Sequence, residues 1–243
     1  MRIFFRLVLF VTLFVSVAVS VYAGEDDSFD EFFEDYEIAR EHEVVPDPFY
    51  WFNYGMYSFN DKLYFWVLKP AVKGYNAVTP LVVRRGIKNF FYNLLFPVRC
   101  VNSVLQGKFM GAWNELGIFL INSTAGSLGF TRPAQTVFDM ENSNEDFGQT
   151  LGSWTMPEGF YLVLPMLGPS TLRDSMGIVG DYLLKPVNYL EPCELSMGID
   201  TFDRINSISF KIKEYEVLKN SSFAPYEAIK DAYLQVQRLK IEN

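Results

Sequence analysis

The chain has 243 residues and a formal net charge of -8, which excludes proteins that bind nucleic-acid backbones through clustered lysine and arginine. The acidic excess is local, because residues 24–45 hold ten acidic residues against the single base Arg40 and the remainder is close to neutral. The only histidine, His42, lies in that acidic segment, which excludes Ser-His-Asp catalysis, Cys-His catalysis and a histidine-rich metal site. We therefore expect no nucleic-acid partner, no cofactor, no metal and no enzyme.

The N-terminal residues have the three-part layout of a secretory signal peptide. Arg2 and Arg6 precede an apolar stretch over residues 7–19, and a small-residue pattern ending at Ala23 precedes Gly24. This layout predicts export and cleavage after Ala23. The alternative is an uncleaved anchor helix, but the apolar run is shorter than the roughly 20 residues that span a bilayer. No cysteine occurs in residues 15–30, so the sequence predicts no acylated lipoprotein cysteine there.

The sequence predicts three segments: a signal peptide over residues 1–23, an acidic, disordered leader over residues 24–45, and one helical domain over residues 46–243. The composition of the leader favours a solvated segment, and a docking tail for a basic partner is the alternative. Cys100 and Cys193 are compatible with either a disulfide or two free thiols, because pairing cannot be deduced from sequence.

Apolar periodicity predicts a mainly α-helical fold with short loops that contain glycine and proline. Helices are expected where apolar residues form a stripe or a dense run, over residues 56–68, 81–95, 109–122 and 225–241, and a further helix is expected over residues 200–219. Pro70 is expected to end or kink the first of these helices. The third contains few charged residues, so it should be buried or in contact with lipid.

Two stretches lose the helical period. Residues 126–138 are rich in glycine and proline, and a loop or short hairpin is expected there. Residues 159–168 are apolar but too few to cross a bilayer as a helix, so an interfacial segment and an ordinary core loop are both compatible with them. Beyond them, Ser170 or Thr171 is expected to cap a helix, with Asp174 at the capping-box position.

Aromatic residues make up 17% of the chain, and many of them stand beside polar ones. Tyrosine and tryptophan favour a membrane interface, although an aromatic-rich soluble core has the same composition. Uncharged polar groups suited to a lipid headgroup occur among the apolar helical residues, at Asn53, Asn60, Asn89, Asn93, Asn102 and Asn122. Each amide is equally compatible with a helix cap or a hydrogen-bonded core position.

Four segments resemble the signature blocks of the MlaA (VacJ) family of outer-membrane phospholipid-transport proteins. They occur in the family's order and cover most of residues 47–240, and "FGQTLG" followed by "LPMLGPSTLRD" is the most specific part. The four blocks are "DPFYWFNYGMYSFND" (residues 47–61), residues 84–130, "EDFGQTLGSW" with "YLVLPMLGPSTLRD" (residues 145–174), and "SSFAPYEAIKDAYLQ" (residues 221–235).

The resemblance implies a ring-shaped helical protein in the outer membrane with an amphipathic channel. Phospholipid that has strayed into the outer leaflet would enter this channel and leave toward the periplasm. It further implies a trimeric porin partner and a soluble periplasmic carrier that delivers lipid to an inner-membrane ABC transporter. The glycine-rich residues 126–130 resemble the lead-in to the loop that borders the channel. The candidate channel residues are Asn53, Phe59, Asn60, Asn122, Gly126, Gly129 and Phe130.

The chain departs from the family pattern at two points. Family members are typically acylated at an N-terminal cysteine, whereas cleavage after Ala23 would leave Gly24 first. Tyr54 stands where an arginine is expected, so no charge-based role is transferred to it. Two other functions remain as alternatives, namely a non-catalytic envelope scaffold and a hydrolase that uses carboxylates such as Glu145, Asp146 and Asp174.

Overall fold

The computed structural model describes residues 45–242, with side chains through residue 240. The predicted signal peptide, and all of the predicted leader except Val45, lie outside the described residues. Over the described residues the chain is mainly α-helical with a single two-stranded sheet, so the predicted fold class is confirmed.

The first helical stretch changes its pitch in the middle. Helix α1, Tyr50–Leu63, passes into a π-helical turn, Tyr64–Leu68, and continues as α2, Lys69–Val78. The backbone N–H of Lys69 reaches back five residues to the carbonyl of Tyr64. Pro70 follows directly at the second position of α2, inside the continuous helical stretch, and supplies no N–H for a backbone hydrogen bond there. The proline therefore accompanies a π-helical turn and does not end the helix.

Three helices follow, and they are α3, Leu81–Leu94, α4, Phe96–Leu105, and α5, Phe109–Thr124. Helices α3 and α5 confirm the helices predicted over residues 81–95 and 109–122. Helix α4 was not predicted as a separate element. A turn at Gly107, whose φ of 75° favours glycine, separates α4 from α5.

Helices α4 and α5 form an antiparallel pair. The rings of Phe96 and Phe119 stack with centroids 4.5 Å apart, at the start of α4 and toward the end of α5. One turn further along α4, Arg99 bonds to Glu115, and Cys100 contacts the carbonyl of Ala112. Residues later in α4 therefore contact residues earlier in α5, as in an antiparallel pair.

The segment after α5 contains turns and two short helices, α6, Pro133–Thr136, and α7, Phe147–Ser153. The loop expected over residues 126–138 is confirmed, but the short hairpin offered as its alternative is not there. The hairpin lies further along the chain, where β1, Tyr161–Leu164, pairs antiparallel with β2, Gly168–Thr171. The apolar residues 159–168 therefore form most of a β-hairpin.

The C-terminal part begins with α8, Leu172–Leu184, and a 3-10 turn, Pro186–Tyr189. Two helices then close the fold, α9, Cys193–Ser221, and α10, Pro225–Glu242. Both were predicted, but α9 begins at Cys193 and not at residue 200. Thr171 caps α8 by accepting from the N–H of Asp174, which confirms the predicted cap. A small core joins the two ends of the described chain, and its members are Val45, Tyr161, Val163, Tyr226 and Leu234.

Candidate functional site

Two candidate channel residues of α1 fasten the hairpin. Asn53 is fully buried; its amide donates to the carbonyl of Tyr161 at 3.0 Å and accepts from the N–H of Val163 at 2.9 Å. Asn60, two turns later on the same helix face, donates to the carbonyl of Leu164 at 2.9 Å and accepts from Met166 N at 2.7 Å. Both amides therefore bond to backbone groups as a neighbouring strand would.

The other candidate on α1, Phe59, has about half of its surface exposed, at 48%. It lies in a helix whose outer residues include Trp51 and Phe52, which are also exposed. Phe59 is therefore placed to contact an apolar environment outside the protein, whereas Asn53 and Asn60 face inward.

The remaining candidates lie in and beside the loop that follows α5. Asn122 is buried; it accepts from the N–H of Ala134 at 3.0 Å and donates to Gln135 at 3.1 Å. Gly126 has no room for a side chain, because a Cβ there would lie 2.4 Å from the carbonyl oxygen of Asn122. This part of the loop is therefore held tightly against the end of α5.

The same loop packs on α3. Gly129 has a φ of 92°, and a Cβ there would lie 2.6 Å from the Cβ of Asn93. The ring of Phe130 covers Gly86, where a Cβ would approach to 2.7 Å, and the carbonyl of Phe130 accepts from Asn89. These contacts explain why glycine is required at the crossing of loop and helix.

Six of the seven candidate channel residues thus fall into two groups, while Phe59 is exposed on α1. Asn53 and Asn60 lie at the hairpin, and the second group lies in and beside the loop after α5, at Asn122, Gly126, Gly129 and Phe130. All six asparagines considered from the sequence are hydrogen-bonded within the protein. The structure assigns them bonding roles at junctions between elements.

Sequence reasoning missed a buried ion pair between α4 and α5. Arg99 Nε donates to Glu115 Oε2 at 2.8 Å, and neither side chain exposes more than 6% of its surface. The second oxygen of Glu115 accepts from the N–H of Ser143 at 2.8 Å. A signal for the pair exists in the sequence, since Arg99 and Glu115 are lone, opposite charges in otherwise uncharged segments.

Tyr92 joins this ion pair to a second arginine. The guanidinium of Arg99 lies 3.9 Å from the centroid of the Tyr92 ring, and that of Arg132 lies 5.2 Å from it. The Tyr92 hydroxyl donates to the side chain of Asn144. Burial raises the pKa of Tyr92 to about 12, so the ring carries no charge at neutral pH. Burial also lowers the pKa of Arg132, and the like charge of Arg99 acts in the same direction.

A second polar network links α4, α7 and α8. Asp181 Oδ1 accepts from Asn102 Nδ2 and from the N–H of Phe147, both at 3.0 Å. Thr150 donates to the carbonyl oxygen of the Asn102 amide at 2.9 Å. Burial raises the pKa of Asp181 to about 6, although its two hydrogen bonds and Lys185 oppose that shift.

We expect Asp181→Asn to stabilise the protein above pH 6 and to have little effect at pH 4. The folded-state pKa of Asp181 lies above the value of 3.8 expected in an unfolded chain, so the cost of ionising it in the fold develops between about pH 4 and pH 6. Both bonds use Oδ1, which asparagine retains. The gain in unfolding free energy should be on the order of 1–2 kcal/mol, measured by thermal unfolding at both pH values.

Asp231→Asn is the matched control, because Asp231 is exposed on α10 and the substitution removes the same charge. A destabilisation by Asp181→Asn at pH 7.5 would contradict the expectation.

The outer surface of the domain is rich in large apolar side chains. On α1 and the π-helical turn, Trp51 is 84% exposed and Trp66 is 76% exposed. On α5, Met110 is 80% exposed and Trp113 is 72% exposed, beside an exposed Phe109. Helix α8 adds exposed side chains at Met176, Ile178, Val179, Tyr182 and Leu183. Surfaces of this kind indicate contact with a membrane or an apolar partner.

The buried residues show the opposite bias. Polar and charged side chains are at least as frequent as apolar ones among them, and they include Arg99, Asn102, Glu115, Thr150 and Arg173. Water-soluble domains ordinarily bury few such groups. Buried polar networks beneath large exposed apolar patches are compatible with contact between this surface and a membrane.

The carboxylates considered as catalysts have structural partners. Asp146 caps α7 by accepting from the N–H of Gln149, and Glu145 pairs with Lys108 at 2.9 Å. Asp174 accepts from the hydroxyl of Tyr233 at 2.6 Å. Over the described residues no group of three or more histidine, cysteine or carboxylate side chains is arranged to hold a metal ion.

Both cysteines are free thiols in the structure. Cys100 is half-buried against the carbonyl of Ala112, and Cys193 is exposed at the start of α9. Of the two alternatives left open by the sequence, the structure has the unpaired one.

The fold and surface therefore define a class: a helical protein with a polar interior, an apolar outer face and one small hairpin. Within residues 45–242, no helix combines the length and apolarity needed to cross a bilayer.

Comparisons with known proteins place this class in one family. The family model of the MlaA lipoprotein matches residues 45–240. The intermembrane phospholipid transport system lipoprotein MlaA of Shigella flexneri is 31% identical over 78% of this chain and 76% of its own, and an uncharacterized protein of Rickettsia conorii is 30% identical over 82% and 79%. A solved structure, from work on the structural basis for maintenance of bacterial outer membrane lipid asymmetry, superposes with a TM-score of 0.70 at 30% identity. It covers 81% of this chain and 99% of that one. The chain belongs to the MlaA family, and the resemblance seen in the sequence is confirmed.

Proposed function

We propose that this protein is the outer-membrane component of a phospholipid transport system, and that it removes mislocalised phospholipid from the outer leaflet through an amphipathic passage. In this way it maintains the asymmetry of the membrane. The observation that carries the proposal is the inverted distribution of polarity in a chain of this family, with tryptophan and methionine outside and hydrogen-bonded polar groups inside.

A phospholipid requires two kinds of surroundings at once, polar groups for its headgroup and apolar walls for its tails. The buried networks around Asn102 and Glu115 join the helices of the domain through polar contacts and would hold the walls of such a passage in place. The aromatic and aliphatic side chains of α1, α5 and α8 supply apolar surface on the same domain. No covalent step is part of the proposal, and the protein acts as a transport component without a cofactor.

The candidate channel residues enter the proposal as supports of the passage. Asn53 and Asn60 hold the hairpin on α1, while Asn122, Gly126, Gly129 and Phe130 hold the loop after α5 against α3. Phe59, exposed on α1, is a candidate for contact with acyl chains. In this proposal the asparagines fix the geometry of the passage and the exposed aromatic side chains contact lipid.

We further propose that the protein is exported and lies at the outer membrane on its periplasmic side. Its proposed partners are a trimeric porin and a soluble periplasmic carrier that receives the lipid. The exposed apolar faces of α1, α5 and α8 support a position in the membrane, because they would otherwise be left against water.

The test is the phospholipid content of the outer leaflet in cells with and without the protein. Deletion should raise outer-leaflet phospholipid, and expression of the intact chain should restore it. The protein purified in mild detergent should also carry phospholipid, which mass spectrometry of the extracted lipid would detect. Unchanged outer-leaflet phospholipid after deletion would reject transport and favour a scaffolding role, and a lipid-free, detergent-independent monomer would count against the proposal directly.

A further inference from the structure

The two arginines that flank Tyr92 have buried donors without partners. Arg99 exposes 5% of its surface, and its Nη2 is buried with no hydrogen-bond acceptor. The Nε of Arg132 is also buried and without an acceptor. An unsatisfied donor costs about 1–3 kcal/mol, and more when the group is charged. Two buried guanidinium donors without acceptors therefore lie beside one aromatic ring.

Arg99, Arg132, Glu115 and Tyr92 form a cluster whose charges do not cancel. Glu115 neutralises Arg99, but none of the ion pairs among the described residues includes Arg132. Both oxygens of Glu115 are already bonded, one to Arg99 and one to Ser143. With Tyr92 uncharged, the cluster carries one net positive charge in a partly buried position.

We infer that Arg132 and Arg99, held on the ring of Tyr92, form a binding site for the phosphate of a phospholipid headgroup. A phosphodiester carries one negative charge, which matches the excess of the cluster, and its oxygens accept hydrogen bonds from guanidinium groups at more than one position. The inference rests on the proposed function, which supplies the lipid. It adds the position at which the headgroup is bound and the chemical group, the phosphate, that is recognised.

The geometry gives the two arginines different tasks. Arg99 is fixed by three contacts, namely Glu115, the carbonyl of Tyr92 at 2.7 Å and the Tyr92 ring. Arg132 stands at the start of the short helix α6, is only partly buried, and contacts the ring at the longer distance. Arg132 therefore supplies the accessible charge, while Arg99 supplies a rigid donor behind it.

The experiment uses the full chain in mild detergent and compares the wild type with Arg132→Gln. Calorimetric titration with dihexanoylphosphatidylglycerol tests the headgroup with short tails, dihexanoylglycerol tests the same tails without phosphate, and inorganic phosphate tests the anion alone. We expect Arg132→Gln to weaken binding of the phosphatidylglycerol at least tenfold and to leave the weak binding of the diacylglycerol unchanged. Arg204→Gln, which removes the same charge from an exposed position on α9, should bind all three probes as the wild type does.

A thermal melt separates a ligand site from a structural role. Removing an arginine with a structural role lowers the melting temperature. Arg132→Gln instead removes an unpaired buried donor and a like charge beside Arg99. The melting temperature of this variant should therefore equal or exceed that of the wild type. Arg99→Lys is the second variant, because lysine keeps the charge opposite Glu115 but removes Nη2. It should also weaken binding of the phosphatidylglycerol.

The outcomes distinguish this inference from the proposed function. Equal binding of the phosphatidylglycerol by the wild type and Arg132→Gln would overturn the headgroup site and leave lipid transport standing. Inorganic phosphate that binds as tightly as the lipid probe would overturn the assignment to a headgroup in favour of free phosphate. A wild type that binds neither short-chain lipid would count against both proposals.

Discussion

Replacing Phe109, Met110 and Trp113 together with serine should largely abolish binding of the protein to phospholipid vesicles. The three side chains lie on one face of α5 and are all strongly exposed, with Met110 at 80% and Trp113 at 72%. Burying a large apolar side chain contributes about 1.5–3 kcal/mol, so the loss of three should lower the partition coefficient by roughly a hundredfold or more. Vesicle flotation with the detergent removed measures the bound fraction.

The control for this variant replaces three exposed polar residues of α9, Lys211, Lys213 and Glu214, with serine. It changes the same number of surface positions without removing apolar area, so it should float with vesicles as the wild type does. Circular dichroism should report unchanged helix content in both variants. If the α5 variant bound vesicles as well as the wild type, the α5 face would not be a membrane-contacting surface.

Glu115→Ala should destabilise the fold by about 3–5 kcal/mol, because it leaves the buried guanidinium of Arg99 without its counterion. The variant also removes the acceptor of the Ser143 N–H, which holds the loop before α7 against α5. A decrease in melting temperature of roughly 10 °C is the expected size for a domain of this length, and a thermal or denaturant melt followed by circular dichroism would measure it.

Glu214→Ala provides the comparison, since Glu214 is exposed on α9 and alanine is the best helix former. Its effect should stay within about 0.5 kcal/mol. Replacing the pair together, as Arg99→Met with Glu115→Leu, should destabilise the fold less than Glu115→Ala alone, because apolar side chains leave no unpaired charge. If Glu115→Ala had the same melting temperature as the wild type, Arg99 would have another partner in that variant.

The helices that could be predicted from the sequence are those with an apolar stripe. Residues 81–95, 109–122 and 225–241 show the 3.6-residue period and are helical in the structure. Helix α4 was not predicted, because the face that it buries is polar and contains Arg99, Asn102 and Ser103. A rule that equates burial with apolarity fails for such a helix.

The hairpin and the polar site depend on contacts between distant parts of the chain. Strands β1 and β2 have four residues each, and the amides that fasten β1 come from α1, more than a hundred residues earlier. The sequence indicated Asn53 and Asn60 as important polar groups but not which atoms they bond. Arg132 could not be predicted as part of a site, because it comes close to Arg99 and to the ring of Tyr92 only in the folded chain.

The attachment of β1 to α1 also affects whether a second copy of the chain can pair with this strand. Three backbone groups on the side of β1 that faces away from β2 are bonded: the N–H of Tyr161 to Pro46, and the carbonyl of Tyr161 and the N–H of Val163 to Asn53. An uncovered strand would be a template on which a second chain could add a strand and start an aggregate. Here the amide of Asn53 and the carbonyl of Pro46 occupy part of that template, so a second copy of the chain cannot pair with this side of β1 without displacing them.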